Sequence, residues 1–124
     1  MPVEKRYKFT RAQRLRTRAD FSDVHGARVR ESRGPLTIYA LPNDRGAARL
    51  GLSVSRAVGT APRRNRIKRL IREAFRLMQH DFPRGYDWII VARPHAPLML
   101  AEYQKILSAL MVKLHANWMK REST

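Results

Sequence analysis

The 124-residue sequence predicts a single α+β domain in the order helix, strand hairpin, helix, strand, helix. Three observations predict it. Ile67, Leu70, Ile71, Ala74, Phe75 and Met78 recur at i, i+3, i+4, i+7, i+8 and i+11, which is one face of an α-helix. Leu36–Leu41 and Arg49–Val54 alternate with the period of half-buried strands. Trp88–Ala92 is apolar without interruption, as a strand covered on both faces is.

In chain order, residues 1–16 are basic, with Tyr7 and Phe9 set among Lys5, Arg6, Lys8 and Arg11, and read as an extended or weakly ordered arm. Thr17-Arg18-Ala19-Asp20 has the form of a capping box and opens a short helix. Phe21, Val24 and His25 share a face of it, and Gly26 is its stop. Arg28–Gly34 is polar and basic, either loop or a weak edge strand. In the next strand Leu36, Ile38 and Ala40 face one way and Thr37 and Tyr39 the other. Pro42–Gly46 is a turn. The returning strand sets Leu50, Leu52 and Val54 against Arg49, Gly51 and Ser53, so the two strands are expected to pair as a hairpin with one apolar face. Val58–Pro62 ends the strand and starts the long helix, since proline is tolerated in a first helical turn. That helix runs to about Gln79. Asp81–Asp87 is a turn, Trp88–Ala92 the buried strand, and Leu100–Met119 a last amphipathic helix.

Net charge is +16, and 44% of residues are hydrophobic, so the chain is not a disordered basic tail. The charge concentrates in residues 1–33 and 61–76, each net +6. Such a field opposes compaction and calls for a polyanionic partner, nucleic acid before membrane. Cysteine is absent, which excludes disulfides and cysteine-held zinc. No apolar run reaches the roughly 18 residues of a membrane span. The charged first ten residues lack the apolar core of a secretory signal, so the expected compartment is the cytoplasm.

The long helix, RRNRIKRLIREAFR over Arg63–Arg76, carries seven basic residues and one acid, Glu73. Asn65, Lys68, Arg69, Arg72 and Arg76 point away from its apolar stripe, and Arg66 flanks it. A merely solvated face would pair its bases with acids at i+4. Arginine's planar fork suits bidentate phosphate contact and stacking on bases, and Lys68 adds a point charge. Asn65 either bonds a base edge or backbone or helps start the helix; the pattern leaves both open. Phe21 and Tyr39 are candidates for a groove that stacks unpaired nucleotides, although pattern alone favours ordinary packing. Catalytic signals are weak. The ten acids are scattered, where metal-assisted phosphodiester hydrolysis needs them gathered. His25, His80, His95 and His115 are isolated, and no glycine-rich phosphate loop exists.

The run Arg64-Asn65-Arg66-Ile67-Lys68-Arg69, followed by Arg72-Glu73-Ala74-Phe75-Arg76, resembles the RNR motif of the bacterial ribonuclease P protein component. Its flanks are similar too: Leu50–Arg56 with Val58-Gly59, Arg18–Phe21, and Ile89–Arg93. The resemblance covers roughly residues 14–115. It implies an αβββαβα fold, a mixed sheet packed by helices, with Arg28–Arg33 supplying the remaining strand. It also implies a left-handed βαβ crossover, against the general right-handed rule. Residues 1–13 then read as a basic, weakly ordered arm and 14–120 as the ribonuclease P protein domain.

The implied function is removal of the 5′ leader from precursor tRNA by a holoenzyme whose RNA subunit is the catalyst, with Mg²⁺ bound mainly by that RNA. This chain is then expected to carry no catalytic residue and no metal site, and to bind neither DNA nor membrane. The resemblance assigns the catalytic RNA to Arg56, Arg63, Arg64, Asn65, Arg66, Lys68, Arg69, Arg72 and Arg76, with Arg14 and Arg16. It assigns the single-stranded leader to Phe21, His25, Thr37, Tyr39 and Ser53, of which the strand phasing independently puts Thr37, Tyr39 and Ser53 off the core. His25 stands where the family often has a second aromatic such as phenylalanine, and a histidine ring can also stack. The rival reading is a structural RNA-binding protein of ribosomal type. A DNA-binding helix-turn-helix is disfavoured by the flanking strands, and a self-sufficient ribonuclease by the scattered acids.

Overall fold

The structure, a computed structural model, describes residues 9–83 and 85–123. Helix α1 (Arg18–Gly26) opens at Thr17, whose Oγ1 accepts from the Asp20 amide at 3.0 Å. The helix ends at Gly26, but the residue that turns the chain is Arg28, held at φ 57°. The weak polar segment is a strand, β1 (Arg30–Arg33), which Gly34 and Pro35 turn into β2 (Leu36–Pro42). Strand β3 (Arg49–Val54) follows, and then helix α2 (Ala61–Met78), with Pro62 in its first turn. Strand β4 (Tyr86–Ala92) and helix α3 (Leu100–Glu122) complete the domain. Part of the expected turn at Asp81–Asp87 is therefore strand, since Tyr86 and Asp87 already belong to β4. The last helix runs a turn further than its apolar pattern.

The expected hairpin between Leu36–Leu41 and Arg49–Val54 does not form. The sheet order is β1-β2-β4-β3, so β4 lies between those two strands, antiparallel to β2 and parallel to β3. The true hairpin is β1–β2. The physical reason lies in β4: a strand apolar on both faces cannot sit at an edge, so it takes a central place and displaces the pairing that the turn at Pro42–Gly46 suggested. The free edge of β3 is met by the N-terminal segment, where the Leu15 amide donates to the Leu50 carbonyl at 2.9 Å.

The main core lies on one sheet face. Leu36, Ile38 and Ala40 of β2, Trp88 and Ile90 of β4, and Leu50 and Val54 of β3 pack there against α2 and α3. Helix α2 contributes the stripe expected of it, with Ile67, Ile71, Ala74 and Phe75 buried. Phe9 meets the edge of Phe75 at 5.6 Å, so residues 9–15 of the basic segment lie along the domain; residues 1–8 of the expected arm fall outside the described residues. The other sheet face carries a smaller core of Leu15, Val24 and Ile89 beneath α1.

Candidate nucleic-acid interface

Strand register lays out the α1 face of the sheet in three rows. Leu41, Asp87 and Arg49 form the first, Arg30, Tyr39, Ile89 and Gly51 the second, and Ser32, Thr37, Val91 and Ser53 the third. Beneath α1 the first two rows are buried at Asp87, Ile89 and Gly51 and open towards β1, where Tyr39 is half-buried and Arg30 exposed; the third row is a floor on which Thr37, Val91 and Ser53 are half-buried.

The first row anchors the helix. Arg49 grips the buried Asp87 with two bonds, Nε to Oδ1 at 2.8 Å and Nη2 to Oδ2 at 2.6 Å, and lies 3.6 Å from Asp20 on α1. Asn43 donates to the same Asp87 at 2.7 Å. The bonds to Asp87 hold the Arg49 guanidinium above its ordinary pKa.

The second row builds an aromatic wall. The Phe21 ring rests on Gly51, where a Cβ would meet Phe21 Cζ at 2.6 Å, so only glycine permits that approach. His25 stands edge-on to Tyr39 with centroids 4.4 Å apart and lies 6.5 Å from Phe21. Arg30 Nη1 donates to the Tyr39 hydroxyl at 3.1 Å. His25, Arg28, Arg30 and Tyr39 line a cavity of about 400 Å³. In the third row the Ser32 and Thr37 hydroxyls bond at 2.7 Å.

The sequence-derived leader set, Phe21, His25, Thr37, Tyr39 and Ser53, thus falls on one face of the sheet, on the open floor and the wall above it. Sequence reasoning missed three neighbours. Val91 belongs to an apolar run yet forms the middle of the floor between Thr37 and Ser53. Arg28 and Arg30 flank the His25–Tyr39 pair. The Gly34-Pro35 dipeptide was the available signal, because counting back from that turn sets Arg30 opposite Tyr39.

The second surface is α2. Arg63, Asn65, Arg66 and Arg69 are exposed, while Arg64, Lys68, Arg72 and Arg76 are half-buried. Arg56 lies exposed in the 3-10 turn Arg56–Val58 before the helix. Gly59 follows at φ 149° with the Arg63 side chain 2.7 Å from where a Cβ would be, so the helix start needs glycine there. Arg76 pairs with Glu73 in two bonds, 3.1 and 2.5 Å, which hold the Glu73 carboxyl below its usual range. Phe9, Arg14, Arg69, Leu70 and Arg72 share a groove of about 810 Å³ with this pair. Burial, and then the charge of Arg14, lower the Arg72 guanidinium from its ordinary value. Bases held this close favour an anion between them. Arg14 also lies over the Phe9 ring at 5.2 Å, and Arg16 is exposed.

Other titratable groups are committed elsewhere. His95 bonds the Tyr103 hydroxyl at 2.7 Å and His115 the Tyr86 hydroxyl at 2.8 Å. Glu31 serves Asn117 and Lys113. Among the described residues no three histidine or acidic side chains gather as a metal site would require, and no helix is long and apolar enough to cross a membrane.

The geometry agrees with what the chain is similar to. The sequence profile of the family described as Ribonuclease P matches residues 9–115. A ribonuclease P protein component from Photobacterium profundum is 41% identical over 108 residues, spanning 86% of this chain and 91% of that protein. Among solved structures, the Staphylococcus aureus RNase P protein superposes with a TM-score of 0.72 at 30% identity, covering 85% of this chain and 96% of that one. The RNase P protein from Thermotoga maritima gives 0.72 at 28% identity, covering 79% and 94%. With a basic helix and an aromatic cleft on opposite sides of the same mixed sheet, the chain belongs to the ribonuclease P protein family.

Proposed function

We propose that this chain is the RNA-gripping, non-catalytic part of its enzyme, holding the catalytic RNA with α2 and the 5′ leader of precursor tRNA in the cleft between α1 and the sheet. As a ribonuclease P protein component it is a subunit of the ribonuclease P holoenzyme and acts with the RNA subunit in maturing tRNA 5′ ends. The observation that carries the two-surface reading is the His25–Tyr39–Arg30 group, an open aromatic pair with a guanidinium on its rim, set across the sheet from the basic helix.

In this reading Arg56, Arg63, Arg64, Arg66, Lys68, Arg69, Arg72 and Arg76, with Arg14 and Arg16, neutralise phosphates of the catalytic RNA, and Asn65 bonds its backbone or a base. An unpaired leader base stacks on Tyr39 and His25, a contact worth about 1–3 kcal/mol. The Thr37 and Ser53 hydroxyls donate to base edges or 2′-oxygens on the floor, and Phe21 fixes the wall against Gly51. A precursor is then held better than its mature product, and substrate affinity is separated from the bond that breaks. Mg²⁺ would be held by RNA phosphates and would there supply the charge stabilisation that phosphodiester hydrolysis needs. The acids best placed near either surface, Asp20, Glu73 and Asp87, already face arginines. The cytoplasm, where precursor tRNA is processed, is the proposed compartment.

Reconstitution tests this. The chain alone should leave precursor tRNA intact, and the chain with the catalytic RNA in Mg²⁺ should cleave it faster than the RNA does at the same Mg²⁺. Cleavage by protein freed of all RNA, or no stimulation of the RNA, contradicts the proposal.

A further inference from the structure

Beyond the aromatic cleft, positive charge continues around the β1 edge to the end of α3. Arg28 and Arg30 line the His25–Tyr39 cavity on one side. They also line a second cavity of about 380 Å³, shared with Val29, Asn117, Lys120 and Arg121. Helix α3 is brought there by three contacts: Trp118 Nε1 donates to the Ala40 carbonyl at 3.0 Å, Asn117 donates to Glu31 at 3.0 Å, and Lys113 pairs with Glu31 at 3.3 Å. Glu31, the acid of β1, therefore points to the α3 side and is occupied. Arg121 lies over the Trp118 ring at 4.9 Å. Among the described residues no carboxylate pairs with Arg28, Arg30 or Lys120. Arg28 is the one described non-glycine residue at positive φ, the conformation in which the chain leaves α1, and this fixes where its side chain starts. Lys120 and Arg121 lie past residue 115, where the family match ends.

We propose that Arg28, Lys120 and Arg121 form a second leader subsite, which takes the phosphates of single-stranded RNA leaving the aromatic cleft at the β1 edge. This rests on the leader reading above and extends it. A strand that crosses the floor from Ser53 through Val91 and Thr37 to Tyr39 reaches Arg30 and Arg28 next, because they close the sheet on that side. The occupant is single-stranded RNA rather than a protein, because the patch is continuous with a base-stacking cleft and offers cations to a polyanion. The catalytic RNA is the competing occupant, and the test separates the two.

The test uses the reconstituted holoenzyme and two precursor tRNAs, with leaders of about 4 and about 12 nucleotides, a range typical of single-strand sites. The double variant Lys120→Ala/Arg121→Ala should lower affinity for the long-leader substrate by roughly 3–30-fold and the magnitude of its log–log salt slope by about 1.4, and leave the short-leader substrate unchanged. Both side chains are exposed, and because Arg121 lies over the Trp118 ring a Tm measured beside the affinity should stay level; a fall in Tm that accounts for the lost affinity overturns the subsite. Arg28→Gly should lower long-leader affinity while Tm stays level or rises, because glycine accepts φ 57° freely. Equal effects on both leaders, or weakened assembly with the catalytic RNA, overturn the subsite. Tyr39→Ala serves as the separate arm: it should weaken both precursors. If it does so while the double variant treats them alike, the cleft stands and the extension fails. If it weakens neither while the double variant still discriminates, the cleft reading fails, and with it the subsite as an extension of the cleft, leaving a leader contact at the end of α3 alone.

Discussion

Single contacts decide how the cleft is made. His25 lies between Phe21 and Tyr39, 6.5 Å from one and 4.4 Å from the other, where a flat ring can either stack on a base or hold Tyr39 upright. If it stacks, His25→Phe should keep or improve precursor tRNA affinity and His25→Ala should reduce it, as equilibrium binding to the holoenzyme would report. Loss of affinity in His25→Phe as large as in His25→Ala would remove the ring from the leader site. Gly51 is the second decisive position. An added methyl would sit 2.6 Å from Phe21 Cζ and 3.2 Å from Leu15 Cβ, so Gly51→Ala must push the Phe21 ring off the sheet. Overpacking of this kind costs about 1–3 kcal/mol, readable as a lowered denaturation midpoint with unchanged slope. An unchanged midpoint would mean that Phe21 has room to move and does not fix the wall.

At the scale of elements, α2 presents a buried apolar face and an exposed basic one. Ile71 and Phe75 are fully buried, whereas Arg69 is exposed. Arg69→Ala should therefore weaken assembly with the catalytic RNA and move stability by only about ±0.5 kcal/mol. Ile71→Ala should destabilise by roughly 2–5 kcal/mol and leave RNA affinity per folded molecule alone. Chemical denaturation and RNA titration of both variants separate the effects, and an unfolded Arg69→Ala would refute the phasing. This helix was legible in the sequence because its apolar stripe and its charges have the same period and never conflict. The strands were legible as strands but not as partners. Leu36–Leu41 and Arg49–Val54 have matching alternation and a strong turn between them, and nothing local tells a hairpin from two strands parted by a third. The discriminating fact was the two-sided burial of Trp88–Ala92, which is a statement about neighbours far along the chain. Arg30–Arg33 failed to read as a strand for the opposite reason: an edge strand with three exposed residues shows little apolar pattern. The residues proposed for the leader on β2 and β3 could still be placed, because alternation alone sets Thr37, Tyr39 and Ser53 off the core. Arg30 could not, since its place depends on pairing.

Across the whole molecule, the sheet acts as a partition. One face and its two helices supply most of the core, the other carries α1 and the cleft, and the basic surface of α2 looks away from both. A net charge of +16 spread over such surfaces should make binding to the catalytic RNA strongly dependent on salt. With about 6–8 phosphates neutralised, the log–log slope should be roughly −4 to −7, and a slope near zero would mean that charge is not the binding device. In the proposed function, substrate discrimination and RNA assembly reside on different faces. The most direct measurement is the dissociation constant of precursor and of mature tRNA for holoenzyme carrying Tyr39→Ala, beside the affinity of that variant for the catalytic RNA. Tyr39→Ala should cost about 1–3 kcal/mol for the precursor alone, with mature tRNA and catalytic RNA binding unchanged. Equal losses for precursor and mature tRNA, or weakened assembly with the catalytic RNA, would contradict it.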